Sequence, residues 1–245
     1  MNRMEPSVAS AAPRWPEPMA DLPLRIAPRV WLLGAMAFML TYGFMFSVVH
    51  VLADTRPCIA RVNDPLFQVV PWQHGWYYVT HTAYYFFTLG GTLALLARAV
   101  RGDHRPFLRF GLGLTLQAAL RSLTISLLPL CRFTVEPGTV VLTEVPTIDL
   151  GLFRLPWRAW ATNDLVFSGH VGEFLLMTWC GRHWPRPARW ALILFQVLQA
   201  YGLLATRGHY TIDLVVAVPC AFLADAGAQR LLWWATRRSR AAAVR

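Results

Sequence analysis

Long apolar runs separated by short, arginine-bearing polar stretches make up most of the chain. Six such runs can be drawn, over residues 31–53, 76–97, 107–130, 165–179, 188–205 and 212–235. A helix that crosses the hydrocarbon core needs about 20 apolar residues. Five of the six runs meet or approach that length, and the fourth is short unless it extends to Trp184. The pattern predicts an all-α polytopic membrane protein, a six-transmembrane-helix bundle formed by residues 30–235. Residues 1–29 hold Pro6, Pro13, Pro16, Pro18, Pro23 and Pro28 and read as a disordered, Pro- and Arg-containing tail. Residues 236–245 read as a basic C-terminal tail. Val51-Leu52-Ala53 imitates a signal-peptidase site, but the apolar run before it is too long for a signal peptide, so the first span is expected to stay uncleaved.

Composition strengthens this picture. Of 245 residues, 56% are hydrophobic and only 15% charged, which is too apolar for an ordinary soluble domain. The net charge of +10 comes entirely from arginine, since the chain has no lysine. The arginines fall between apolar runs, as membrane-flanking charges do, and this placement speaks against nucleic-acid binding. An arginine-only basic set with abundant alanine and proline fits a GC-rich bacterial source.

Six spans put both termini on one side. That side holds sixteen arginines and the other six, with Arg121 inside a span. By the positive-inside rule the termini are cytoplasmic. The starts of the second, fourth and sixth spans then face outward, and the chain is expected in the bacterial inner membrane. Cys58 and Cys131 also fall on the outward side, where a disulfide between them is permitted; Cys180 and Cys220 do not. No Cys-x-x-Cys or His-Glu-x-x-His spacing occurs, so no metal site is expected.

Two stretches carry candidate chemistry. In the stretch 207–213, His209 and Asp213 stand four residues apart at the start of the sixth run. On a helix these positions share a face, so the carboxylate can hold one ring nitrogen and leave the other as base or nucleophile. The plainer alternative is a structural polar pair at a helix start. In the stretch 163–170, Ser168 and Gly169 precede His170 at the start of the fourth run. Serine can cap that helix, glycine permits close approach, and the free N–H groups favour an anion such as phosphate. Arg121, deep in the third span, suits either a clamp on phosphate or an ion pair with a buried acid such as Glu173. His81, within the second run, reads as a packed, hydrogen-bonded residue. Topology brings His170, His209 and Asp213 to one membrane face, which favours function over coincidence.

Phe167-Ser168-Gly169-His170 and the stretch His209-Tyr210-Thr211-Ile212-Asp213-Leu214 resemble the third and fourth motifs of the sphingomyelin synthase family, within the type-2 phosphatidic-acid phosphatase superfamily. The stretch 121–129, beginning at Arg121, resembles the second motif. The resemblance covers roughly residues 107–235. The run 162–167 departs from the family's Cys-Gly-Asp pattern, which leaves the head group open.

The resemblance implies a head-group phosphotransferase. It would move a phospho-head group from a glycerophospholipid to the hydroxyl of ceramide or a diacylglycerol-like lipid, without a cofactor. His209, oriented by Asp213, would be the nucleophile and His170 the acid and then the base, with Arg121, Ser168, Gly169 and Tyr210 binding phosphate. The alternatives are a lipid-phosphate phosphatase or phospholipase C-type hydrolase, and an inactive lipid-binding membrane protein. The superfamily's phosphatases carry a lysine-containing motif and an arginine six residues before the second histidine. This chain has no lysine and has Leu203 at that position, which favours transfer.

Overall fold

The computed structural model describes residues 62–128 and 167–243, together with Phe38, Leu40, Pro57, Leu130 and the pairs 148–149 and 154–155. All of the proposed first span except Phe38 and Leu40, together with Cys58, Cys131 and nearly all of the connection from 131 to 164, lies outside the described residues.

The described residues are mostly helical. A single turn, α1 (Leu66–Val69), precedes α2 (Trp76–Tyr78), which runs through a π turn at Val79–Ala83 into α3 (Tyr84–Val100). The longer elements are α4 (Arg105–Leu127), α5 (Gly169–Cys180), α6 (Arg186–Ala205) and α7 (Thr211–Ala243). A minimal antiparallel pair, Ile148–Asp149 with Arg154–Leu155, is the extended structure among the described residues.

Among the described residues, three helices are long and apolar enough to cross a bilayer: α4, α6 and the segment Thr211–Thr236 of α7. They turn large apolar side chains outward, among them Leu194 and Val197 on α6 and Val215 and Phe222 on α7. A soluble monomer does not tolerate so much exposed apolar surface, whereas lipid does. The chain forms a membrane-embedded helical bundle.

The fourth apolar run behaves differently. Its helix, α5, has 12 residues, and at helical rise that is about 18 Å, shorter than the hydrocarbon core. Ser168 caps one end, and Gly181 with Pro185 closes the other. Eight of its residues are buried, from Gly169 to Cys180, so α5 is the bundle's central post. Phe174, Leu176 and Met177 pack with Leu95 of α3, Phe110 and Leu114 of α4, and Phe195 of α6.

Small residues let the helices approach. Ala217, Ala221, Ala224 and Ala228 form a fully buried stripe along α7, which packs chiefly on α4 and α5. In lipid, where tails are as apolar as leucine, such close packing drives association. Polar groups inside the bundle are also used. The Gln199 amide donates to the Thr80 carbonyl within the π turn (2.8 Å), and the Gln117 amide donates to the Gly169 carbonyl (3.2 Å).

α4 ends at Leu127, three residues before the expected boundary, because Leu128 precedes Pro129 and leaves the helical region. Arg121 therefore stands six residues from the helix end rather than nine, about 9 Å along the axis.

Candidate functional site

The site is built from the starts of two helices. At the start of α5 the Ser168 hydroxyl accepts from the Val171 N–H (3.4 Å) and satisfies one of the orphan donors of the first turn. The Ser168 N–H donates to the Asp213 carbonyl (3.1 Å), which ties the start of α5 to the first turn of α7.

The start of α7 is held by two carboxylates. Asp213, in its first turn, accepts from the Tyr210 N–H (2.8 Å) and from Nδ1 of His209 (3.2 Å) with the same oxygen, Oδ2. The backward reach to the residue before the helix is the acidic half of a capping box. An ionised Asp213 only accepts, so the proton of a neutral His209 sits on Nδ1 and the lone pair on Nε2. Asp64, buried in the preceding loop, accepts from both the N–H and the hydroxyl of Thr211 and from the Leu66 N–H (3.0 Å). It pins the loop 62–75 to the site's floor.

Arg207 completes this clamp. It adopts a left-handed φ of 57°, which turns the chain from α6 toward His209. Its guanidinium donates to the carbonyls of Leu204, Phe67 and Val70 and lies 4.3 Å from the centre of the Phe67 ring. Partial burial pushes its pKa below the usual arginine value, while the neighbouring Asp64 opposes that shift.

The two histidines meet across the helix starts. Their ring centroids are 6.0 Å apart and the rings nearly perpendicular. His209 and Asp213 are buried, and His170 is half-buried. His170 packs against Tyr84 of α3 at 4.5 Å between centroids, and the Tyr84 hydroxyl donates to Glu173, one turn further along α5.

Gly169 and Arg121 explain one another. A Cβ on Gly169 would lie 1.9 Å from Nη1 of Arg121, so the guanidinium rests on the bare backbone at the first turn of α5. The absence of a side chain at 169 is what admits the cation. A positive group and the N–H groups of a helix start thus lie beside His170, an arrangement suited to a doubly charged oxyanion.

The structure therefore brings His170, His209, Asp213, Ser168, Gly169 and Arg121 together from α4, α5 and α7. Tyr210 sits beneath them. Its ring is buried and stacks on Phe67 at 5.8 Å, and its N–H serves Asp213. Glu173, a possible partner for Arg121, accepts from the Tyr84 hydroxyl and also feels the charge of Arg121. Asp64 and Tyr84 were not singled out by the sequence. Asp64-Pro65 is a helix-start signal that marks a cap, though it does not say that the capped helix lies 147 residues away. Tyr84 carries no local signal at all beyond an aromatic-rich span start.

Comparison with known proteins adds a second line. A family model described as AtPDCT1/2 matches residues 160–230. That segment contains Ser168, His170, His209 and Asp213 and excludes Arg121 and Tyr84. A similar protein is phosphatidylcholine:diacylglycerol cholinephosphotransferase 1 of Arabidopsis thaliana, 44% identical over 63 residues. The similarity covers 25% of this chain and 21% of the plant protein's length. No solved structure matches the chain.

Proposed function

We propose that this chain is an integral-membrane head-group phosphotransferase. It takes the phospho-head group of a glycerophospholipid, phosphatidylcholine foremost, and passes it to the free hydroxyl of a diacylglycerol-type lipid. The observation that carries the proposal is the similarity over residues 160–230, because that segment encloses both histidines and Asp213. The plant relative is named for a cholinephosphotransfer between phosphatidylcholine and diacylglycerol, which favours diacylglycerol over ceramide as acceptor here.

The mechanism is a double displacement. Nε2 of His209, its ring held by Asp213, attacks the donor phosphorus. The bond from phosphorus to the diacylglycerol oxygen breaks as His170 gives that oxygen a proton. The acceptor diacylglycerol then loses its hydroxyl proton to His170, and its oxygen attacks the phosphohistidine, restoring free His209. With their ring centroids 6.0 Å apart, both imidazoles can reach one phosphoryl group bound beside them. Arg121 and the first turn of α5 neutralise charge gathering on the non-bridging oxygens. Tyr210 acts as a positioning residue through Asp213. Six spans, with the first over residues 31–53, cytoplasmic termini and histidines facing the extracytoplasmic side of a bacterial inner membrane complete the reading.

The test uses purified protein with phosphatidylcholine deuterated in its choline, short-chain diacylglycerol, and ceramide in a parallel reaction, read by mass spectrometry. Transfer predicts deuterated choline on the short acyl chains, dependent on added diacylglycerol. Free deuterated phosphocholine at a rate indifferent to acceptor would make the protein a hydrolase. Label on ceramide with none on diacylglycerol would replace the acceptor.

A further inference from the structure

A cavity lies at the end of the bundle away from the histidines. It has a volume of about 900 Å3 and opens between the last turn of α5, the first turns of α6 and the middle of α7. Thr178, on its wall, is nine residues along α5 from Gly169, roughly 14 Å at helical rise, so the two regions are separated along the bundle axis.

The floor of this cavity is a closed ion pair. Arg109 donates through Nε and Nη2 to both oxygens of Asp225 (2.6 and 2.5 Å), and Gln229 adds a third bond to Asp225 (2.7 Å). Asp225 is thereby used up. The other nearby acid, Asp103, accepts from Arg98. Above the floor, Arg182, Arg186 and Arg189 line the same cavity, and none of the three has a carboxylate partner among the described residues. Arg189 is fixed in place by a bond from Nη1 to the Arg182 carbonyl (3.2 Å), and its Nε is buried with no hydrogen-bond partner. Guanidinium groups without a carboxylate partner suit an anionic oxygen. The local field is positive. The pKa of His183 is lowered by burial first and then by the charge of Arg182 and Arg98, with Asp103 opposing.

The remaining wall is apolar and opens to the bundle's exterior. Trp190 is 67% exposed and Phe222 61%, and Ile193 continues the same surface. Three uncompensated cations beside a lipid-facing apolar wall fit an amphipathic anion better than a free ion, which has no use for that wall. They also disfavour a zwitterionic head group, whose cation the arginines repel.

We propose that this cavity is a resident binding site for an anionic glycerophospholipid. The lipid's phosphate is held by Arg182, Arg186 and Arg189, and its acyl chains lie along Trp190, Ile193 and Phe222. The site is separate from the histidines, and its occupant is neither donor nor acceptor in the proposed transfer.

Native mass spectrometry of the detergent-solubilised full chain tests this, with phosphatidylglycerol, phosphatidylcholine and inorganic phosphate added separately. The wild type is expected to retain one phosphatidylglycerol at lower lipid concentration than phosphatidylcholine. Arg186→Gln, an exposed position whose side chain makes no internal hydrogen bond among the described residues, should weaken retention about fivefold. Arg182→Gln/Arg186→Gln/Arg189→Gln should remove the preference. Arg121→Gln, at the other end, should leave it unchanged. Equal retention of both lipids, unchanged retention in Arg186→Gln, or loss in Arg121→Gln would each overturn the proposal. So would displacement of the lipid by millimolar inorganic phosphate, which would point to a free-anion site.

Discussion

Two buried acids on α7 make an instructive pair. Asp225, midway along the helix, is saturated: both its oxygens meet Arg109, and Gln229 supplies a further bond. Asp213, at the helix start, gives one oxygen to a histidine ring and to the backbone N–H of Tyr210. The first arrangement is closed, with planar bidentate geometry and no face left for a ligand. The second is open, because the carboxylate holds Nδ1 of His209 and leaves the ring's other nitrogen for a ligand, with the His170 ring 6.0 Å away. Charge inside the bundle is thus of two kinds, and partner geometry separates them where burial alone does not.

The largest expected effect belongs to the open pair. Asp213→Asn keeps the shape but no longer fixes the proton on Nδ1 of His209, and turnover should fall by about 10²–10⁴. Circular dichroism and thermal melting should change far less than activity. An equal collapse of both would make Asp213 as structural as Asp225 and erase the contrast.

The closed pair should respond the other way. Arg109→Leu strands Asp225 without its partner, and stability should drop by about 3–5 kcal/mol. Pairing it with Asp225→Leu should recover most of that loss, since replacing both charges leaves nothing unpaired. Activity per folded molecule should hold in the double variant. Loss of turnover there would show that this pair also serves the chemistry.

A smaller effect is expected at Gly169. Gly169→Ala puts a methyl where Nη1 of Arg121 rests, and the flexible guanidinium can swing aside at little cost. Stability should change by less than about 1 kcal/mol, because alanine suits a helix better than glycine. The rate should fall about tenfold as the cation leaves the first turn of α5. An unchanged rate would remove Arg121 from the site.

The chemistry-bearing residues were more legible in the sequence than their supports. His209 and Asp213 are four apart and do pair, but His209 lies two residues before the first helical residue, Thr211, so the turn into α7 brings them together and not a shared helical face. Ser168 and Gly169 announce a cap in the same local way. The supports are long-range. Asp64 meets Thr211 and Arg109 meets Asp225 across 147 and 116 residues, and one sequence holds no record of which loop folds onto which helix. The shortness of the fourth run was legible, since Gly181, Arg182 and His183 follow it, but its burial was not. Hydropathy does not distinguish a post buried by protein from a span facing lipid. The pairing of Cys58 with Cys131 and nearly all of the first span lie outside the described residues.

The most direct test of the account is to trap the head group on the enzyme. Protein mixed with phosphatidylcholine in the absence of acceptor, quenched at alkaline pH where phosphohistidine survives, should carry one phosphocholine. Peptide mass spectrometry should place it on His209, and later addition of diacylglycerol to unquenched protein should discharge it. His209→Ala should carry none. A phosphocholine on His170, or turnover by the His209→Ala protein, would contradict the assignment of His209 as the nucleophile.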